Sequence, residues 1–361
     1  MIFLSILSSS IISLLVTPYV IKLGRKKKIF DLPSPRKTHK KEIVHIGGTS
    51  ILIGYLSSVA IFLLTYKDQL SAEHLITYLV LLLGSLFFYL VGLIDDLIDV
   101  SPFIRLGTQI IISSIIFLSG VSLFPINIPF FGGLDSSILI LINFTLTIFW
   151  IVGITNAINW FDGLDGLATG VCILTLLSFS VIFINSGNII YCLFSIALAG
   201  SCLGFLKYNF FPAKIIMGDS GSNLLGFNLA IFSILELENY DNLNFFLSNN
   251  RIIISLLLLS IPLLDMIYVI LKRIKNNRSP FYPDKFHLHH RLMNIGFTHK
   301  ETVFLIYSIH QFPIFIALYF SKIINVVALT LSMIFFLFVS LKIIRKFLVE
   351  FKGKKLNFKV K

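Results

Sequence analysis

In Thr155–Gly170, TNAINWFDGLDGLATG, the side chains of Asn156, Asn159, Asp162 and Asp165 recur every three residues, with Gly163 and Gly166 among them. The stretch lies where one long apolar run ends and the next begins. Amide and carboxylate groups in so oily a chain need water, a cation or a ligand, because an unpaired buried charge is costly. Their ligating atoms are all oxygens, which suits Mg²⁺ held together with a phosphate better than zinc. The same residues also fit a polar turn at a membrane face whose Asx side chains cap the next helix.

Four other clusters keep this stretch company. In GLIDDLIDVSPFIRLG, Asp95 and Asp99 share a helix face with Asp96 beside them. Like charges this close call for a cation or a cationic partner, and Arg105 follows to neutralise an acid or a phosphate. In KIIMGDSGSNLLG, Asp219, Ser220 and Ser222 precede an apolar run. A helix N-terminus there would attract anions, with Asp219 as its cap or as a metal ligand facing phosphates. In RSPFYPDKFHLHHRL, His287, His289, His290 and Arg291 lack the Cys or acidic partners of a zinc site, and Arg291 would repel a cation. Imidazoles beside arginine suit hydrogen bonds to a sugar and its diphosphate. In the loop 22–45, Pro33 and Pro35 stiffen a segment carrying Arg36, Lys37 and His39, either to dock a phosphate or as a structural elbow. Asp265, inside the apolar IPLLDMIYVILKR, is either functional or a helix-packing partner.

The elements that must position these groups are set by composition. The chain has 361 residues, 56% hydrophobic and 13% charged, with mean hydropathy +0.90. Soluble domains average about a quarter charged, so an all-α integral membrane protein is expected. The formal charge of +12 points to topology and anionic membrane lipids, with no nucleic acid implied. Cys172, Cys192 and Cys202 lack ligand spacing, so neither a disulfide framework nor a zinc site follows. MIFLSILSSS lacks the basic start of a cleaved signal, so the first run is expected to remain as a span.

Eleven apolar runs reach spanning length, near 3–21, 46–65, 75–94, 104–124, 137–155, 166–184, 189–206, 221–236, 252–271, 303–320 and 323–341. With the N-terminus outside and the C-terminus inside, 27 of the 30 Lys and Arg residues fall on the cytoplasmic side; Lys67, Arg251 and Lys322 do not. Every polar cluster then shares that face, which implies one cytoplasmic site. With no repeat, linker or composition shift, residues 1–361 read as a single multispan domain.

The segments DLPSPRKTH with its downstream glycine pair, GLIDDLIDV, NAINWFDGLDGLATG, MGDSGSNLLG and SPFYPDKFHLHHRL occur in that order over nearly the whole chain. Together they resemble the polyprenyl-phosphate N-acetylhexosamine-1-phosphate transferases, glycosyltransferase family 4. The bacterial members that start O-antigen, common-antigen and teichoic-acid lipids look closest. HLHHRL is similar to the N-acetylglucosamine-type branch; the phospho-MurNAc-pentapeptide translocases carry a different His-rich motif ending in acidic residues. The resemblance implies transfer of N-acetylhexosamine 1-phosphate from a UDP-sugar to undecaprenyl or another polyprenyl phosphate, with UMP released, at the bacterial inner (plasma) membrane. It implies Mg²⁺, or Mn²⁺ in its place, on Asn159 and Asp219. Asp165 would face the uracil, Asp95 and Asp96 would be the catalytic acidic pair near the lipid phosphate, and Arg105 would bind phosphate. His287, His289, His290 and Arg291 would contact the sugar-phosphate half, and Asp162 would be catalytic or structural. A homodimer is compatible with this class. One departure is Val44-His45 before Gly47-Gly48, where the family usually has Pro-Arg; Arg36 or Lys37 would then substitute.

Two rivals share parts of the pattern. An intramembrane prenyltransferase uses Asp-rich Mg²⁺–diphosphate motifs, but needs a second such motif, which is not found, and no His-rich loop. A multispan transporter would gather its polar groups near mid-bilayer, where Asp265 is the main candidate.

Overall fold

Long apolar runs leave the backbone no partner in lipid but itself, and the chain answers with helices. The computed structural model describes residues 2–32, 42–65, 75–124, 135–238, 250–282, 284–321, 334 and 337–345. Its helices are α1 (Ile2–Lys27), α2 (Gly48–Thr65), α3 (Leu75–Ile98), α4 (Pro102–Leu118), α5 (Ser136–Phe161), α6 (Leu167–Asn185), α7 (Ile189–Asn209), α8 (Gly218–Glu238), α9 (Asn250–Leu258), α10 (Ser260–Lys275), α11 (Leu288–Ile295) and α12 (His299–Phe320). A small antiparallel hairpin, β1 (Phe30–Asp31) with β2 (Ile43–Val44), joins α1 to α2.

Seven helices, α1, α2, α3, α5, α6, α7 and α12, are long and apolar enough to cross a bilayer, and α9 with α10 makes an eighth if the pair counts as one span. The chain is a multi-pass membrane protein. Of the eleven expected crossings, the fourth is a helix of 17 residues, and most of 323–341 lies outside the described residues. The ninth, 252–271, is not one straight helix as expected. It breaks at Leu259 and turns by 78°. Pro262 explains the break: it donates no N–H, and its ring conflicts with the carbonyl of Leu258 one turn earlier.

The run expected at 221–236 becomes the bundle's central helix. Residues 220–236 of α8 are all buried, packed by α2, α3, α5 and α6. Enclosed on all sides, α8 needs no lipid-facing stripe and carries Asn223, Asn228, Ser233 and Glu236 inside. Asn228 Nδ2, for instance, donates to Ser85 Oγ at 2.8 Å. At the periphery, α1 presents Ser5, Ser9, Ser13 and Thr17 at four-residue intervals, all buried. Small residues on that stripe let α1 lie close against Gly200 and Gly204 of α7.

Candidate active site

Gly218 takes φ 74°, a left-handed turn that opens α8 and leaves its first N–H groups facing the end of α3. There the Asp96 carboxylate accepts from Asp219 N–H at 2.7 Å and from Ser220 N–H at 2.9 Å. A carboxylate in that place satisfies two donors that the helix cannot pair, and it complements the positive end of the dipole. The approach requires glycine at position 92, because a Cβ there would overlap the Asp219 carbonyl. The strand before α2 ties the same region down. Ile216 N–H donates to Val44 O at 2.9 Å and Gly48 N–H to Met217 O at 2.9 Å. Nε2 of His45 lies 2.7 Å from the Asp96 carbonyl.

Asp219, in the first turn of α8, collects side chains from two other clusters. Asn159 Nδ2, near the end of α5, donates to Asp219 Oδ1 at 2.8 Å and to Ser222 Oγ at 2.9 Å. Arg105, in the first turn of α4, donates to the other oxygen of Asp219 and also to Asp95. Asp95 accepts in addition from Val100 N–H at 2.8 Å. Arginine therefore offsets the charge of two acids that would otherwise repel.

These groups surround a cavity of about 330 Å³ whose lining includes Asp31, His45, Asp96, Asn159, Asp162, Asp165, Asp219 and His290. Asp165 accepts from Ala213 N–H at 3.0 Å, which joins the loop after α7 to the loop between α5 and α6. Asp162 caps the end of α5 and faces the cavity. Burial raises its pKa to about 7, and the nearby Asp165 and Asp96 add to the rise.

The His-rich loop closes one side. Arg273, at the end of α10, donates to Asp284 and to the Pro280 carbonyl, with its guanidinium 4.9 Å from the Trp160 ring centre. Phe281 packs edge-on against Trp160. The loop is thus fastened to the aromatic residue within NAINWFDG. His289 lies against Gly163, where a Cβ would overlap its ring. Burial, then His290 and His287, push the His289 pKa well below the usual imidazole value. His290 is lowered as well, by burial first and then by His287 and Lys285. His287 Nδ1 donates to Asp265 at 2.7 Å.

Of the residues expected from sequence, Asn159, Asp162, Asp165, Asp219, Asp96 and His290 line one cavity. Asp95 and Arg105 stand behind Asp219, while His289 and His287 stack behind His290. Arg291 lies elsewhere, with its guanidinium 4.5 Å from the Tyr268 ring centre. The basic segment with Arg36, Lys37 and His39 falls outside the described residues. His45 and Arg273 were not expected as site residues. His45 was visible only as a departure from Arg, and Arg273 looked like one of several topogenic charges.

A divalent cation fits the chemistry of this donor set. Asp162 and Asp219 carry carboxylate oxygens and Asn159 an amide oxygen, and in this structure Asn159 Nδ2 and the Arg105 guanidinium are the donors that face Asp219. Among the described residues no three His, Cys, Asp or Glu side chains already converge as a closed metal site. Mg²⁺ needs no such cage, since it keeps waters and shares substrate phosphates with one or two carboxylates.

Residues 78–236 match the family model for glycosyl transferase family 4. The chain is 35% identical over 296 residues to a probable undecaprenyl-phosphate N-acetylglucosaminyl 1-phosphate transferase of Bacillus subtilis, covering 82% of this chain and 78% of that one. It is 34% identical over 321 residues to a decaprenyl-phosphate N-acetylglucosaminephosphotransferase of Mycobacterium leprae, covering 83% and 79%. An undecaprenyl-phosphate alpha-N-acetylglucosaminyl 1-phosphate transferase of Escherichia coli K12 is 28% identical over 289 residues, covering 79% and 74%.

Proposed function

The chain belongs to glycosyl transferase family 4, and from that premise we propose that it transfers N-acetylhexosamine 1-phosphate from a UDP-sugar to a polyprenyl phosphate. An oxygen of the lipid phosphate attacks the sugar-bearing phosphorus, the bond to the UMP oxygen breaks, and a polyprenyl-diphosphate sugar remains in the membrane. The observation that carries this reading is the 2.8 Å bond between Asn159 and Asp219 at the wall of a cavity that Asp162 and His290 also line. Clusters far apart in sequence meet there in a space suited to a nucleotide diphosphate.

Asn159 and Asp219 would hold Mg²⁺, with Mn²⁺ as a substitute. When bound, the ion neutralises the nucleotide's phosphates and stabilises the departing UMP. Arg105, which pairs with Asp95 and Asp219 in this structure, would add positive charge on the phosphate side of the site. Asp96 holds the N-terminus of α8 in place, because both its oxygens are already engaged. Asp162, with a pKa of about 7, suits removal of a last proton from the lipid phosphate, whose second ionisation falls near that value. Asp165 would meet the uracil; His290, backed by His289 and His287, would meet the sugar-phosphate half.

For topology, we take residues 1–361 as one domain with eleven crossings, N-terminus outside, C-terminus inside and the site cytoplasmic, in a bacterial plasma membrane. The Lys and Arg distribution supports this orientation. Purified protein with undecaprenyl phosphate, Mg²⁺ and a panel of UDP-sugars tests the function. Mg²⁺-dependent UMP release matched by a new lipid product is expected, with UDP-GlcNAc the preferred donor. Consumption of no UDP-sugar would refute it.

A further inference from the structure

We infer that Asp265, a carboxylate within the membrane helix α10, is a positioning residue for this transfer, holding His287 in one tautomer and the imidazoles beyond it in one pose. The inference rests on the function proposed above. Asp265 is 6% exposed and His287 8%. One Asp265 oxygen accepts from His287 Nδ1 at 2.7 Å and the other from Leu288 N–H at 2.6 Å. An ionised carboxylate only accepts, so Nδ1 carries a proton toward Asp265, and of the two neutral tautomers the pair selects the one whose Nε2 keeps its lone pair.

Leu288 is the first residue of α11, so the carboxylate that orients His287 also anchors the helix carrying His289 and His290. The His287 and His289 rings lie nearly parallel, 14° apart with centroids 5.5 Å apart. His289 touches His290 at 4.3 Å between centroids, and His290 lines the cavity. A neutral amide would be enough to cap Leu288. A carboxylate in a membrane helix is costlier, and what it adds is the choice of tautomer.

Asp265→Asn separates the two effects, since the amide oxygen still caps Leu288 while its NH₂ faces Nδ1 and drives the ring proton to Nε2. Nitrogen-15 NMR of histidine-labelled full-length protein in detergent, with the His287 signal identified by its loss in His287→Gln, is expected to show Nδ1–H in the wild type and Nε2–H in Asp265→Asn. UMP release from UDP-GlcNAc and undecaprenyl phosphate with Mg²⁺ should fall about 10- to 100-fold in kcat, with KM and melting temperature nearly unchanged. On a His287→Gln background the Asp265→Asn change should cost nothing further. Nε2–H in the wild type, a wild-type kcat for Asp265→Asn, or independent losses in the double variant would each overturn the inference. The expected tautomers in a wild type that releases no UMP would uphold the pair but refute the transfer and Asp265's part in it.

Discussion

Asp95 and Asp96 are neighbours in sequence with different partners: Asp95 faces Arg105, and Asp96 receives the backbone of α8. The acidic spacing was legible as a need for a cation or a cationic partner, which Asp95 finds in Arg105, whereas Asp96 takes backbone N–H groups instead. Which acid met which partner was not legible, because Asp219 and Ser220 lie more than a hundred residues on. Asp265 stood open between function and packing, and its partner is a histidine of the His-rich loop. Asp219 carries the sharpest expectation. Asp219→Ala should lower UMP release by about 10³-fold or more, whereas Lys26→Ala, at the exposed end of α1, should leave it near wild type. His289 gives a pH test. Its folded pKa is depressed, so the stability it contributes is present above the unfolded value of about 6.5 and is lost as pH falls below it. The melting temperature of the wild type should therefore drop relative to His289→Gln between pH 7.5 and 5.5, and parallel curves would contradict this.

Helix starts and stops were largely legible, because glycine, proline and charge punctuate long apolar runs. The break at Leu259 was not read, although Pro262 was in view, because the apolar run continues straight through it. The central place of α8 was also hidden: its run, 221–236, was the shortest of the eleven, and enclosure is what permits the polar residues it carries. Its close contact with α3 predicts that Gly92→Ala, which pushes a methyl into the Asp219 carbonyl, costs about 1–3 kcal/mol of stability and lowers turnover. Unchanged thermal unfolding would contradict that packing. Arg273 holds the His-rich loop to α5 through Asp284, Pro280 and Trp160. Arg273→Ala should speed amide exchange at Ser279, Phe281 and Tyr282 and reduce turnover by about tenfold or more. Unaltered exchange would remove it as the loop's anchor.

At the scale of the whole molecule, a multi-pass helical protein with its chemistry gathered at one end was readable from hydropathy and the order of five motifs. Of the eleven crossings read from the sequence, seven described helices have the length and hydropathy of a span and α9 with α10 makes an eighth, while α4 has 17 residues and most of 323–341 lies outside the described residues. Arg278, in the loop after α10, and Asn185, the last residue of α6, are exposed at positions assigned to opposite faces. With the buried native cysteines replaced, Arg278→Cys should react with a membrane-impermeant reagent only from the cytoplasm and Asn185→Cys only from outside. Labelling of both from one side would reverse or break the topology.

The most direct measurement follows the phosphorus itself. With UDP-GlcNAc labelled with ³²P at the β-phosphate, purified enzyme, Mg²⁺ and undecaprenyl phosphate, the label should enter the lipid while unlabelled UMP is released, and Asp219→Ala should show neither. Label retained in a water-soluble UDP product, with only the sugar passing to the lipid, would contradict the account.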